Sequence, residues 1–110
     1  MATITPTENT GEGGKLYFWE QINHDDDGGA IIVAAGEYTV TCEGTWTGSM
    51  QIDIQYGQTE SGVADIDTDN LRFTANGSYN IKVGRGYIKP ARTSGSSGAD
   101  VDVWLTPIFE

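Results

Sequence analysis

From Gly36 to Tyr56 the chain reads GEYTVTCEGTWTGSMQIDIQY, and apolar and polar positions alternate in two runs. In the first, Tyr38, Val40 and Cys42 point one way and Thr39, Thr41 and Glu43 the other. In the second, Met50, Ile52, Ile54 and Tyr56 share a face opposite Gln51, Asp53 and Gln55. Successive side chains of a strand project to opposite sides, so each run predicts a half-buried antiparallel strand. The Gly- and Ser-punctuated stretch Gly44–Ser49 predicts a hairpin connection between them. Their apolar faces start the core.

Other segments repeat the pattern. Lys15–Ile22 (KLYFWEQI) puts Leu16, Phe18 and Ile22 on one face and Tyr17 and Trp19 on the other. Aromatics on both faces mean either a segment covered on both sides or one whose second face meets a partner. Ala30–Ala35 (AIIVAA) predicts a short strand. Leu71–Thr74 and Ser78–Val83 predict strands with Leu71, Phe73, Tyr79, Ile81 and Val83 inward, joined at Asn76-Gly77 by a type I′ hairpin turn. Gly84-Arg85-Gly86 is the next tight connection. Gly86–Arg92 carries Pro90, which donates no ladder hydrogen bond, so this strand lies on an edge or ends there. After the flexible loop Thr93–Ala99, Asp100–Thr106 puts Val101, Val103 and Leu105 inward and Asp100, Asp102 and Trp104 outward. Trp104 is either capped by the C-terminal PIFE or an exposed contact.

Seven to eight short strands at turn spacings of about 8–12 residues predict an all-β fold, a single antiparallel β-sandwich or jelly-roll-like domain. Residues 15–110 form this domain, and the polar, Thr-rich Met1–Gly14 forms an extended N-terminal arm. A length of 110 residues leaves room for one core. The hydrophobic fraction of 37% and the 15 glycines fit a thin, turn-rich sandwich better than a helical bundle. No run approaches the ~18 apolar residues of a membrane span, and the N-terminus lacks a signal-peptide pattern. The expectation is a soluble chain made inside the cell.

The formal net charge of −10 argues against a nucleic-acid partner. Of six basic residues, Lys82, Arg85, Lys89 and Arg92 cluster within eleven positions, which suggests an acidic body with one basic ridge. That ridge is either ordinary solubilising surface or a dock for an acidic partner, including a second copy of the chain. Cys42 is the lone cysteine and lies on an apolar strand face, where a free thiol packs as a small hydrophobe. The acidic segments NHDDDGG (23–29) and D-x-D-x-D-N (65–70) read as solvated loops. Consecutive carboxylates diverge, and the second segment lacks the Gly and the bidentate Glu of a Ca²⁺ loop, with Asn70 and Asn76 in their places. No cofactor or metal is expected. No carboxylate pair, Cys/His pair or Ser/His/Asp set stands at a recognisable spacing, so no enzyme activity is expected either.

The runs VAAGEYTVTCEGTWTGSMQIDIQYG, FTANGSYNIKVGRGYIKPARTSG and VDVWL resemble the small β-sandwich virion proteins of tailed bacteriophages. The resemblance spans Ile31 to Leu105, about two-thirds of the chain, and rests on turn and core patterns. It implies a structural virion protein, a capsid decoration (cement) protein that binds the major capsid protein or another virion protein and assembles as a homotrimer or homodimer. On this reading Tyr17, Trp19 and Trp104 are apolar anchors, the arm adds a strand to a neighbour, and Lys82, Arg85, Lys89 and Arg92 pair with acidic patches. The alternative is a carbohydrate-binding or receptor-binding module of a tail or head fibre. Trp46, in its Gly/Thr loop, is then the platform on which a glycan stacks.

Overall fold

In the computed structural model, which describes residues 2–11, 14–66 and 72–108, the alternating runs become strands whose apolar faces meet across one core. Twelve strands form among these residues: β1 (Ala2–Ile4), β2 (Thr7–Gly11), β3 (Gly14–Asn23), β4 (Asp26–Gly28), β5 (Ile31–Val33), β6 (Gly36–Thr45), β7 (Gln51–Gly57), β8 (Ala64–Asp65), β9 (Arg72–Phe73), β10 (Gly77–Val83), β11 (Gly86–Thr93) and β12 (Asp100–Pro107). One sheet runs β10-β6-β12-β3-β2, and the other runs β5-β11-β7-β8 with β9 also on β7; all their pairings are antiparallel. The two sheets pack face to face as a sandwich. The Cα radius of gyration, 12.9 Å, is that of a folded chain of this length.

The first sheet contributes Tyr17, Trp19, Ile22, Val40, Cys42, Val101, Val103 and Leu105 to the core, and the second contributes Val33, Ile52, Ile54, Phe73 and Ile88. Inward faces were therefore legible for most strands, but their partners were not. The predicted Gly36–Tyr56 hairpin does not form. Strand β6 lies in one sheet and β7 in the other, so their apolar faces oppose each other across the core. A half-buried strand shows the same alternation whether its neighbour in sequence lies beside it or across from it. The Asn76-Gly77 hairpin fails in the same way, since β9 and β10 belong to different sheets and neither residue has a positive φ. Leu71 lies outside the described residues. The Gly84–Gly86 connection also crosses from sheet to sheet.

The N-terminal stretch, expected as an extended arm, is built into the fold. Strand β2 adds to the edge of the first sheet against β3, and β1 pairs in parallel with β4. Backbone pairing attaches the stretch, and Ile4 packs against the core.

Strand β3 departs from strict alternation. Val101 faces Ile22 and Val103 faces Trp19, so two steps on β12 match three on β3. The extra residue is a bulge at Gln21, whose φ is 58°, and its N–H is held by Asp102 Oδ1 at 2.8 Å. The bulge shifts the phase of the strand, so Tyr17, Trp19 and Ile22 all point inward while Leu16 and Phe18 face out. The expected grouping of Ile22 with Leu16 and Phe18 is thereby corrected.

Strand β11 is central, although Pro90 predicted an edge or an end. Its pairing with β5 stops at Ile88, and Gly28 occupies the space beside Pro90, where a Cβ would lie 2.5 Å from the Pro90 carbonyl oxygen. That carbonyl, and with it the donor-less nitrogen, points away from β7. The β7–β11 ladder therefore loses no bond.

Candidate functional site

Four sheet-to-sheet connections converge at one end of the sandwich: the 23–26 turn, the 46–50 loop, residues 74–76 and the 94–99 loop. The network holding them is specific. Thr47 to Met50 forms a four-residue turn closed by Met50 N–H to Thr47 C=O at 3.3 Å, with positive φ at both central residues, Gly48 (63°) and Ser49 (58°). This is the backbone of a type I′ turn. It is tied to the 94–99 loop by Gly95 N–H to Gly48 C=O (3.1 Å), Ser96 N–H to Thr47 C=O (3.2 Å) and Thr47 Oγ1 to Ser96 C=O (2.9 Å). Arg92 continues the link, donating to Ser94 C=O and to Asp26 C=O. Among the described residues, the three non-glycine positions with positive φ, Gln21, Ser49 and Ser94, all lie at this end. Such backbone persists where its surroundings over-determine it, and it clusters at functional sites.

Trp46 is half-buried here, with its indole against the core. Its Nε1–H donates to Asn76 Oδ1 at 2.9 Å, and the same oxygen accepts Gly44 N–H at 2.9 Å. Beside it, Trp46, Ser49, Met50, Gln51 and Thr74 line an open depression of about 310 Å³. A second crevice lies across the 94–99 loop, lined in part by Glu20, His24, Asp26 and Asp100. Among the described residues, no three His, Cys, Asp or Glu side chains come together to hold a metal ion.

The second candidate surface is the outer face of the five-stranded sheet. One row crosses all five strands: Ser78 opposite Thr41, Thr41 opposite Trp104, Trp104 opposite Phe18, and Phe18 opposite Thr7. Phe18 and Trp104 stack with ring centroids 4.9 Å apart and planes 9° apart. Thr41 Oγ1 and Ser78 Oγ lie 2.9 Å apart, and Thr39 Oγ1 donates to Asn80 Oδ1 at 2.9 Å. Of the C-terminal PIFE, the expected alternative cap for Trp104, 109–110 lie outside the described residues, and the other two run along β6. Pro107 continues opposite Tyr38 on β6, and Ile108 N–H bonds Glu37 C=O.

The predicted interface residues separate. Tyr17 and Trp19 are core, 8% and 1% exposed, and the Trp19 indole N–H bonds Gly29 C=O at 2.9 Å; neither can anchor a partner. The basic ridge is not continuous. Lys89 Nζ lies 2.8 Å from Asp27 Oδ2, and Asp27 Oδ1 accepts Arg92 N–H at 2.9 Å, so both residues are held by the acidic 26–27 segment of their own chain. That segment, expected as a solvated loop, is strand β4 and part of the internal charge network. Lys82 and Arg85 are exposed, Lys82 opposite Glu37 on the outer face and Arg85 in the β10–β11 connection. Of the D-x-D-x-D-N segment, 67–70 lie outside the described residues, and Asp65 accepts from Gln55 Nε2 at 3.0 Å. Cys42 is fully buried, and burial pushes its thiol pKa well up. His24 Nε2 lies 3.3 Å from Asp25 Oδ2 at the surface.

Sequence reasoning missed Phe18 as the partner of Trp104, because the bulge that turns it outward has no signal in the alternation. It also missed Asn76 as the acceptor that fixes Trp46. No protein-family model, curated protein or solved structure matches the chain.

Proposed function

We propose that this chain is a structural virion protein of a tailed bacteriophage, a capsid decoration protein that assembles as a dimer or trimer and stabilises the head. Setting aside the short flanking strands, the sheets run β3-β12-β6-β10 and β5-β11-β7-β9, with neighbours in each sheet distant in sequence. This order supports a jelly roll, two Greek keys folded over one another, an architecture recurrent in capsid proteins. The observation that carries the reading is the open outer face of the five-stranded sheet, where a stacked Phe18–Trp104 pair sits in a field of Thr, Ser and Asn side chains. An aromatic centre with a polar surround is the composition of a protein contact. Because β1 and β2 are already paired within the chain, the contact moves from the N-terminal stretch to this face. Many copies on a repeating lattice make modest single contacts cumulative. A receptor-binding or carbohydrate-binding role is favoured by one observation, the Trp46 depression.

The test mixes purified chain with heads assembled without it, followed by sedimentation. Wild-type chain is expected to co-sediment at fixed stoichiometry. Trp104→Ala and Thr41→Arg are expected to stay in the supernatant with native circular dichroism; Thr41→Arg alters the face without touching the core. Wild-type chain that remains in the supernatant overturns the reading.

A further inference from the structure

The geometry points to a neutral-saccharide site in the Trp46 depression, distinct from the sheet face assigned to capsid contact. Three features narrow the ligand class. First, the indole edge is spent, since Nε1–H is donated to Asn76 Oδ1. What the side chain offers the depression is its ring, fixed in orientation by an acceptor that also holds Gly44 N–H. Second, the polar side chains around it, Ser49, Gln51 and Thr74, have no hydrogen-bond partner among the described residues, so their donors and acceptors are free for a ligand. Third, no charged side chain lines the depression among the described residues. An aromatic plate ringed by neutral hydroxyl and amide groups matches a pyranose, which has an apolar C–H face and a rim of hydroxyls. The formal charge of −10 opposes a stacked nucleotide strand, and the lack of a cation among the described lining residues opposes an acidic sugar.

The site is also preformed. Ser49 is held at φ 58° in a turn that three hydrogen bonds fasten to the 94–99 loop. The walls therefore need not order on binding, which removes a cost that weak saccharide binding can rarely offset.

The probes are maltotriose, cellotriose, lactose and mannotriose at millimolar concentrations, with sialyllactose as the charged control. They are read by tryptophan fluorescence and by saturation-transfer NMR on the intact chain. At least one neutral probe is expected to bind wild type saturably. Loss of a stacking platform predicts binding weaker by about tenfold or more in Trp46→Ala, and binding retained in Trp104→Ala. Gln51→Ala and Thr74→Ala leave the indole in place and are expected to weaken binding severalfold, so the inference stays testable if Trp46→Ala unfolds. Failure of all four neutral probes to bind wild type, binding that survives in folded Trp46→Ala, or a preference for sialyllactose each overturns it. Capsid co-sedimentation of Trp46→Ala should be unchanged, which keeps the two sites separable.

Discussion

The Asn76 carboxamide oxygen joins the end of β6, the 46–50 loop and the crossover from β9 to β10. The Asn-Gly pair there satisfies a hairpin rule, yet the structure uses the residue as an acceptor. Replacing it tests which property matters. Asn76→Ala removes both bonds and is expected to cost about 1 kcal/mol, while Asn76→Asp keeps an acceptor oxygen and should recover most of that in urea unfolding. A turn role would give the opposite ranking for Asn76→Gly, which should be tolerated if positive φ were the requirement and costly if acceptance is.

At the scale of elements, the bulge in β3 decides which aromatics enter the core. Trp19 and Ile22 face inward together only because Gln21 is inserted between them, and Asp102 on the neighbouring β12 satisfies the freed N–H. Asp102→Ala is expected to lower stability by about 0.5–1 kcal/mol, since it exchanges a charge-assisted bond at an exposed N–H for one to water. Gln21→Gly, which relieves a left-handed side-chain conformation, is expected to be neutral or slightly stabilising. Equilibrium denaturation of the two variants checks both, and a large loss in Gln21→Gly would show that the side chain matters and the backbone does not. Strand β11 makes the same point from the other side. Pro90 is tolerated in a central strand because the ladder on its donor-less side has already ended, beside a glycine.

For the whole molecule, burial sets a pH dependence. Cys42 and Tyr38 both have raised pKa values, Cys42 through burial and Tyr38 through burial first and the nearby Tyr17 second; the Tyr38 hydroxyl also donates to Ala34 C=O at 2.6 Å. An acid whose folded pKa is raised keeps its proton in the native state after the unfolded chain has lost it. Its contribution is complete below the unfolded value and is lost as pH climbs above it. Unfolded thiols titrate near about 8.5 and phenols near about 10, so stability should decline in two stages above those values. Cys42→Val is expected to flatten the first stage, measured as urea midpoints from pH 7 to 10. In native protein at pH 8, Cys42 should resist a disulfide reagent and react only on unfolding. Fast labelling of native protein would contradict the burial argument. The charge pattern resolves at the same scale. Half of the basic cluster is engaged within the chain: Lys89 pairs with the Asp27 carboxylate, and the Arg92 guanidinium bonds the carbonyls of Asp26 and Ser94.

The sequence by itself determined that the chain is all-β and which side of most strands is buried, because a period of two is written directly in side-chain type. Val40, Cys42, Ile52, Ile54, Val101, Val103 and Leu105 all lie where alternation put them. It also put Trp46 in a loop and Trp104 on an outer face. The tertiary structure alone decided which strands are neighbours, and so which turns are hairpins and which are crossovers. Ladder hydrogen bonds come from backbone groups that are the same at every residue, so a strand carries no label for its partner. For the same reason the bulge at Gln21, the position of Pro90 in a central strand and the capture of Lys89 and Arg92 by β4 were decided by neighbours that are distant in sequence.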